Sequence, residues 1–226
     1  MFRRLVLLFL LSCSGYVAAQ SLQDLSNADA VAGLRQALVD GSAAAVAELG
    51  RSNGFLGNPK VKIPLPPALQ RVETALRFAG MSSQADELVV SMNRAAEAAV
   101  PEARTLLLDA VKRMSVQDAK GILQGGDTAA TEYFRRATQA QLTQRFLPIV
   151  KKATDRVGLA TQYNDLAGRA TQFGLVSQDQ ATIETYVTAR ALDGLYAMLA
   201  EQERALRHNP MDATSGIVRK VFGVLK

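Results

Sequence analysis

Apolar residues recur along this chain at steps of three and four, the spacing of one face of an α-helix. The clearest run is Ala85, Leu88, Val89, Met92, Ala95, Ala96 and Ala99, which predicts a helix over 83–99. Pro101 restarts a helix on which Ala103, Leu106, Leu107, Ala110 and Met114 repeat the pattern. Leu142, Phe146, Ile149, Val150 and Ala153 give the buried side of a long helix over 128–156, which Pro148 is expected to kink by removing a hydrogen bond and crowding the preceding turn. Leu192, Leu195, Tyr196, Leu199 and Leu206 do the same for a helix beginning at Asp179 and reaching His208. Leu34, Leu38, Val46 and Leu49 mark the first helix, over 27–49, with Gly41 a place where it could bend or break. Ile217, Val218, Val221, Phe222 and Leu225 mark the last.

Helix signals fall between these runs. Ser26, Ser115, Asp127 and Asp212 stand where an oxygen-bearing side chain can accept from the first free amides of a helix. Ser115 opens a short helix over 116–123, and a further helix is expected over 159–170. Gly80, Gly125-Gly126 and Asn209-Pro210 are stops. One stretch departs from the helical period. Val61 to Pro67 alternates apolar and polar residues, but its prolines cannot donate to a β-ladder, so it reads as an extended arm. Pro67 then suits the first turn of a helix to Phe78. No repeat of fixed period appears. The fold class is therefore all-α: a single compact multi-helix bundle of about eight helices spanning 20–226, with a short extended Pro-rich arm near residues 60–67.

The first residues follow a different logic. Met1-Phe2-Arg3-Arg4 is positive, Leu5 to Leu11 is apolar, and small residues follow to Ala19 and Gln20. This is the layout of a secretory signal peptide over 1–19, cleaved between Ala19 and Gln20. Leu10-Leu11-Ser12-Cys13 also resembles a lipoprotein box, so an alternative is lipidation of Cys13 and a membrane-anchored lipoprotein. The expected location is the periplasm. The apolar run is too short to span a bilayer, which takes about 20 apolar residues, and no later segment supplies a transmembrane span. Cys13 is the single cysteine of the chain, so cleavage after Ala19 would leave no disulfide and no thiolate chemistry.

Composition adds exclusions. Apolar residues are 48% of the chain and aromatics 6%, with no Trp, which suits closely packed Ala- and Leu-rich helices. The formal charge of +5 is spread along the sequence rather than gathered on one face with aromatics, so no nucleic-acid partner is expected.

Candidate chemistry is sparse. His208 is the one histidine and lies at a helix C-terminus, where the dipole favours a cation. No cofactor or metal site is expected, because no histidine or cysteine cluster and no EF-hand spacing exists. Gly125-Gly126-Asp127-Thr128 could cradle a phosphate, but Asp127 would occupy the anion's place, so two helix stops and a cap are the simpler reading. Glu97, Asp109, Glu132 and Asp193 are the acids a carboxylate-only enzyme would need across a cleft. Asp193 has apolar neighbours on its helix and Arg190 three residues back as an ion-pair partner. Arg145, Lys152 and Arg156 share a polar helix face that could meet anionic headgroups, though a solvated face explains them as well.

Several stretches together resemble one bacterial family, catalogued as domain of unknown function 4197. They are Lys62-Ile63-Pro64-Leu65-Pro66, Met92 to Glu97, Asp118 to Leu123 with Gly125 to Arg135, Tyr186 to Tyr196, Arg207-His208-Asn209-Pro210 and Arg219 to Gly223. The resemblance covers about Leu25 to Leu225 and implies an exported helical protein; it brings no catalytic residues with it. The leading expectation is a non-enzymatic protein binding a hydrophobic or amphipathic, lipid-like ligand or an envelope protein. Tyr133, Tyr163 and Tyr186 would wall the groove, Arg135 and Arg207 would hold an anionic head, and Asp193 would order an arginine. A carboxylate-dependent hydrolase or lyase of envelope polymers and a purely structural envelope factor are the alternatives.

Overall fold

The helical pattern is realised in a computed structural model that describes residues 26–224; Cys13, Ala19, Gln20 and the leader lie outside the described residues. Among the described residues nine α-helices follow in order: α1 Asn27–Gly50, α2 Pro67–Phe78, α3 Ser82–Ala99, α4 Ala103–Arg113, α5 Val116–Gln124, α6 Ala129–Thr154, α7 Gly158–Gln172, α8 Ile183–His208 and α9 Gly216–Gly223. No strand occurs among the described residues.

α6 and α8 pack along each other at the centre, α3 lies across both, and α1 packs on α4, α8 and α9. Leu88, Met92, Leu107, Phe134, Leu142, Phe146, Leu195 and Tyr196 are buried at these contacts. Each such side chain contributes about 2 kcal/mol through removal from water. The phenol of Tyr196 would be costly there without a partner; it shares a 3.0 Å hydrogen bond with the Thr138 hydroxyl. Gly194 is required by the same packing, because a Cβ there would stand 2.7 Å from the ring of Phe55.

Most boundaries match the sequence signals. Ser26 accepts from the Asp29 amide at 3.0 Å, and Ser115 and Asp118 form a reciprocal capping box. α1 runs through Gly41, and α6 runs through Pro148. Three starts differ. α8 begins at Ile183 rather than Asp179, because the Thr182 hydroxyl accepts from the Thr185 amide and outcompetes the short 3-10 turn at Gln178–Gln180. α9 follows Ser215 instead of Asp212, which sits in a 3-10 turn at Pro210–Asp212. Asp127 does not cap α6; a glutamate from α8 takes that role, as described below.

The Pro-rich arm is extended, as its alternation predicts, with Val61, Ile63 and Leu65 buried and Lys62 and Pro64 exposed. A buried extended segment must satisfy its peptide groups. Here one side chain acts as the missing strand: Asn93 of α3 accepts from the Ile63 amide at 2.9 Å and donates to the Ile63 carbonyl at 2.8 Å.

Candidate functional site

Two buried glutamates organise the loops of this bundle. Glu97 on α3 accepts from the amides of Phe55 and Leu56 at 3.0 and 3.1 Å and pairs with Arg94 at 2.6 Å. Burial, the largest single influence, pushes the Glu97 pKa up; the Arg94 hydrogen bond, the two amides and the Arg94 charge together outweigh it and hold the carboxyl below its ordinary range. Glu203 on α8 accepts from the amides of Ala130 and Thr131, both at 2.9 Å, and from the Thr131 hydroxyl at 3.0 Å. Those amides are the free donors at the start of α6, where the helix dipole also favours a negative charge. The place a phosphate would take at Gly125–Thr128 is therefore filled by the protein's own carboxylate.

Arg207 completes the second arrangement. Its Nε and one Nη donate to Glu203 at 3.1 and 2.9 Å, and the same Nη donates to the Ile122 carbonyl at 2.8 Å. Arg207 and Glu203 together thus join α5, α6 and α8. The Arg207 side chain is 10% exposed, and its other terminal nitrogen has no hydrogen-bond partner among the described residues.

That guanidinium lines a pocket of about 240 Å³ between α1, α6, α8 and α9. Leu38, Phe134, Leu199, Val218 and Phe222 form apolar walls, and Glu203 lies beside Arg207. Asp40 stands at the rim, accepting from Gln36 at 2.9 Å. Only Arg207 of the six residues singled out in the sequence lines this pocket.

The others are engaged elsewhere. The Tyr133 hydroxyl donates to the Ala110 carbonyl at 2.8 Å, Tyr163 to Gln180 at 2.7 Å and Tyr186 to Pro64 at 3.2 Å. Burial pushes all three phenols above their ordinary pKa. Arg135 and Asp193 meet across α6 and α8 at 3.5 Å, and Arg190 reaches Asp193 at 3.0 Å. Arg135 lies over the Tyr196 ring, 4.4 Å from its centroid, while Arg190 stands 5.9 Å from the Tyr186 ring. The structure therefore links Arg135, Asp193 and Tyr186 through Arg190, on a part of the molecule separate from Arg207.

The remaining carboxylates have modest settings. Asp109 faces Lys112 at 3.3 Å, and Glu132 is exposed near Thr128. The carboxyls of Glu97 and Asp118 are held below their ordinary range, the opposite of what a general acid needs. His208 is exposed at the end of α8, 2.8 Å from the Arg204 carbonyl. Among the described residues no group of three or more His, Cys, Asp or Glu is placed to hold a metal ion, and no helix is long and apolar enough to cross a membrane.

Sequence reasoning passed over Glu203 as a site residue. Its spacing of four from Arg207 was a usable signal, since that places the two side chains on one helix face.

A family model described as "Protein of unknown function (DUF4197)" matches residues 24–223, and the chain belongs to that family. No curated protein and no solved structure matches it.

Proposed function

We propose that this member of the family is an exported, non-enzymatic binding protein whose α1–α6–α8–α9 pocket takes a short acyl chain carrying an acidic head. The observation that carries the reading is Arg207, a cation lining an apolar pocket with one nitrogen without a partner among the described residues. Glu203 is held by the amides at the start of α6 as well as by Arg207, so the arginine is not its sole partner. The volume limits the tail. At 240 Å³ the pocket lies just under the usual range of about 300–1,000 Å³ for small-molecule sites, which suits a short chain.

Titration calorimetry with straight-chain carboxylates of increasing length, and with the matching alcohols, tests this. Affinity should rise about fourfold per methylene, level off when the pocket is full, and favour the acid over the alcohol. Val218→Trp, which fills the pocket, should abolish binding, and Arg207→Gln, which removes the charge, should erase the preference for the acid. Binding that survives Val218→Trp, or no binding by any chain length to the folded protein, sinks the reading. The export part rests on the leader pattern: the envelope-purified protein should have an intact mass starting at Gln20, or a lipidated one starting at Cys13.

A further inference from the structure

The α1 wall of the acyl pocket is built from residues with no side chain beyond a methyl. Ala37, Gly41 and Ala44 stand at steps of four and three on one face of α1, and all three line the cavity. Phe134 of α6 and Leu199 and Gln202 of α8 add bulkier walls. Exposure rises along the α1 track. Ala37 is buried, Gly41 is half-buried and Ala44 is exposed, so this wall runs from the interior to the surface.

Packing does not require the glycine in the middle of this track. Glycine is the poorest helix former after proline, and α1 runs through Gly41 without a break. At Gly33 a Cβ would come 2.5 Å from Val221, and at Gly194 it would come 2.7 Å from Phe55, so those helical glycines are needed for close approach. A Cβ at Gly41 would meet one neighbour within 4 Å, the Gln202 Cβ at 3.7 Å, which is ordinary van der Waals contact. Gly121 and Gly168 are as uncrowded on their helices, but neither lines this pocket.

Its place in the pocket decides which end of a ligand it meets. Gln202 stands across from Gly41, and Arg207 comes five residues later on α8, about 7.5 Å along the helix at 1.5 Å per residue. Arg207 is nearly buried, whereas Asp40 and Ala44, on either side of Gly41 along the lining, are exposed. An acid held at Arg207 therefore lays its chain along α1 toward Gly41, and carbons past that point reach water. Acyl chains that are already esterified have no acid to offer the arginine. We infer that Gly41 is the specificity-determining residue of this pocket, an open threshold that passes the tail of a free, unbranched fatty acid bound head-first at Arg207. The inference rests on the acyl-pocket reading and adds the ligand's orientation and class to it.

The test is an amide-resolved NMR titration, which reads weak binding, of the chain beginning at Gln20 with pentanoate, decanoate and methyl decanoate. Pentanoate ends short of Gly41 and decanoate passes it. In the parent, decanoate should bind about tenfold or more tightly than either pentanoate or its own methyl ester. Gly41→Leu, which closes the threshold, should erase the advantage of decanoate and leave pentanoate within about twofold of the parent. Ala43→Leu, on the exposed face of α1 outside the pocket, should change neither acid. With no ligand present, Gly41→Ala should raise the urea unfolding midpoint. A parent that binds neither acid sinks the acyl reading and this inference with it. A parent that binds both, with a Gly41→Leu variant that keeps the decanoate advantage, overturns this inference alone. So does a folded Gly41→Leu variant that loses both acids, since Gly41 would then stand at the head's end. A lower midpoint for Gly41→Ala also overturns it, because the glycine would then be a requirement of packing.

Discussion

Glu97 and Glu203 are the same device used twice. Each is a buried glutamate on a long helix that accepts from two consecutive backbone amides of another segment and pairs with an arginine one turn away on its own helix. The arginines make the difference. Arg94 is 41% exposed and spends its remaining donors on Ser52 and Asn53, closing the loop after α1. Arg207 is nearly buried and lines an apolar pocket, with one terminal nitrogen lacking a hydrogen-bond partner among the described residues. A buried carboxylate at a loop is thus no sign of a site by itself; what its partner does with its spare hydrogens decides.

Substitutions rank the two. Glu203→Ala leaves a nearly buried guanidinium and two helix-start amides without their acceptor, and should cost about 3–5 kcal/mol in urea unfolding. Glu97→Ala orphans two amides but leaves Arg94 free to reach water, so about 2–3 kcal/mol is expected. Equal losses, or a larger one at Glu97, would break the distinction drawn between the two arginines.

Acidity sharpens it further. The Glu97 carboxyl is lowered in the folded chain, so its contribution is complete above its ordinary value of 4.5 and is lost as pH falls through the lower folded value. Glu97→Gln cannot ionise and should remove that part of the acid-side loss of stability, read as unfolding midpoints across the acid range. The smallest effect belongs to Arg94→Ala. Its guanidinium is 41% exposed, and the buried Glu97 keeps its two amide donors when the arginine is lost, so the change should cost about 1 kcal/mol by the same unfolding measurement.

The fold was readable because a helix announces itself locally. Ala85 to Ala99 carry their period within five turns, and Ser26 and Ser115 cap the amides three residues on. The pocket was not readable in the same way. Glu203 meets Ala130 across 73 positions and Arg207 meets Ile122 across 85, and no local rule couples those residues. Aromatic residues beside cations pointed to Tyr133 and Tyr163 as pocket walls, yet a buried phenol needs an acceptor first, and backbone carbonyls supply it. Asp193 seemed enclosed by apolar helix neighbours; its side chain is 47% exposed because two arginines draw it to the surface.

The contact of α1 with α9 has a consequence in time as well as in space. Gly33 lets the two helices touch, since a Cβ there would come 2.5 Å from Val221, and Asp29 meets Lys220 across 191 positions of sequence. Val218 and Phe222, two of the pocket's walls, arrive with that last helix. During synthesis the bundle's centre can assemble while the pocket is still lacking a side. Only when α9 closes on α1, a contact between residues remote in sequence and so among the slowest to form, is there a cavity to fill.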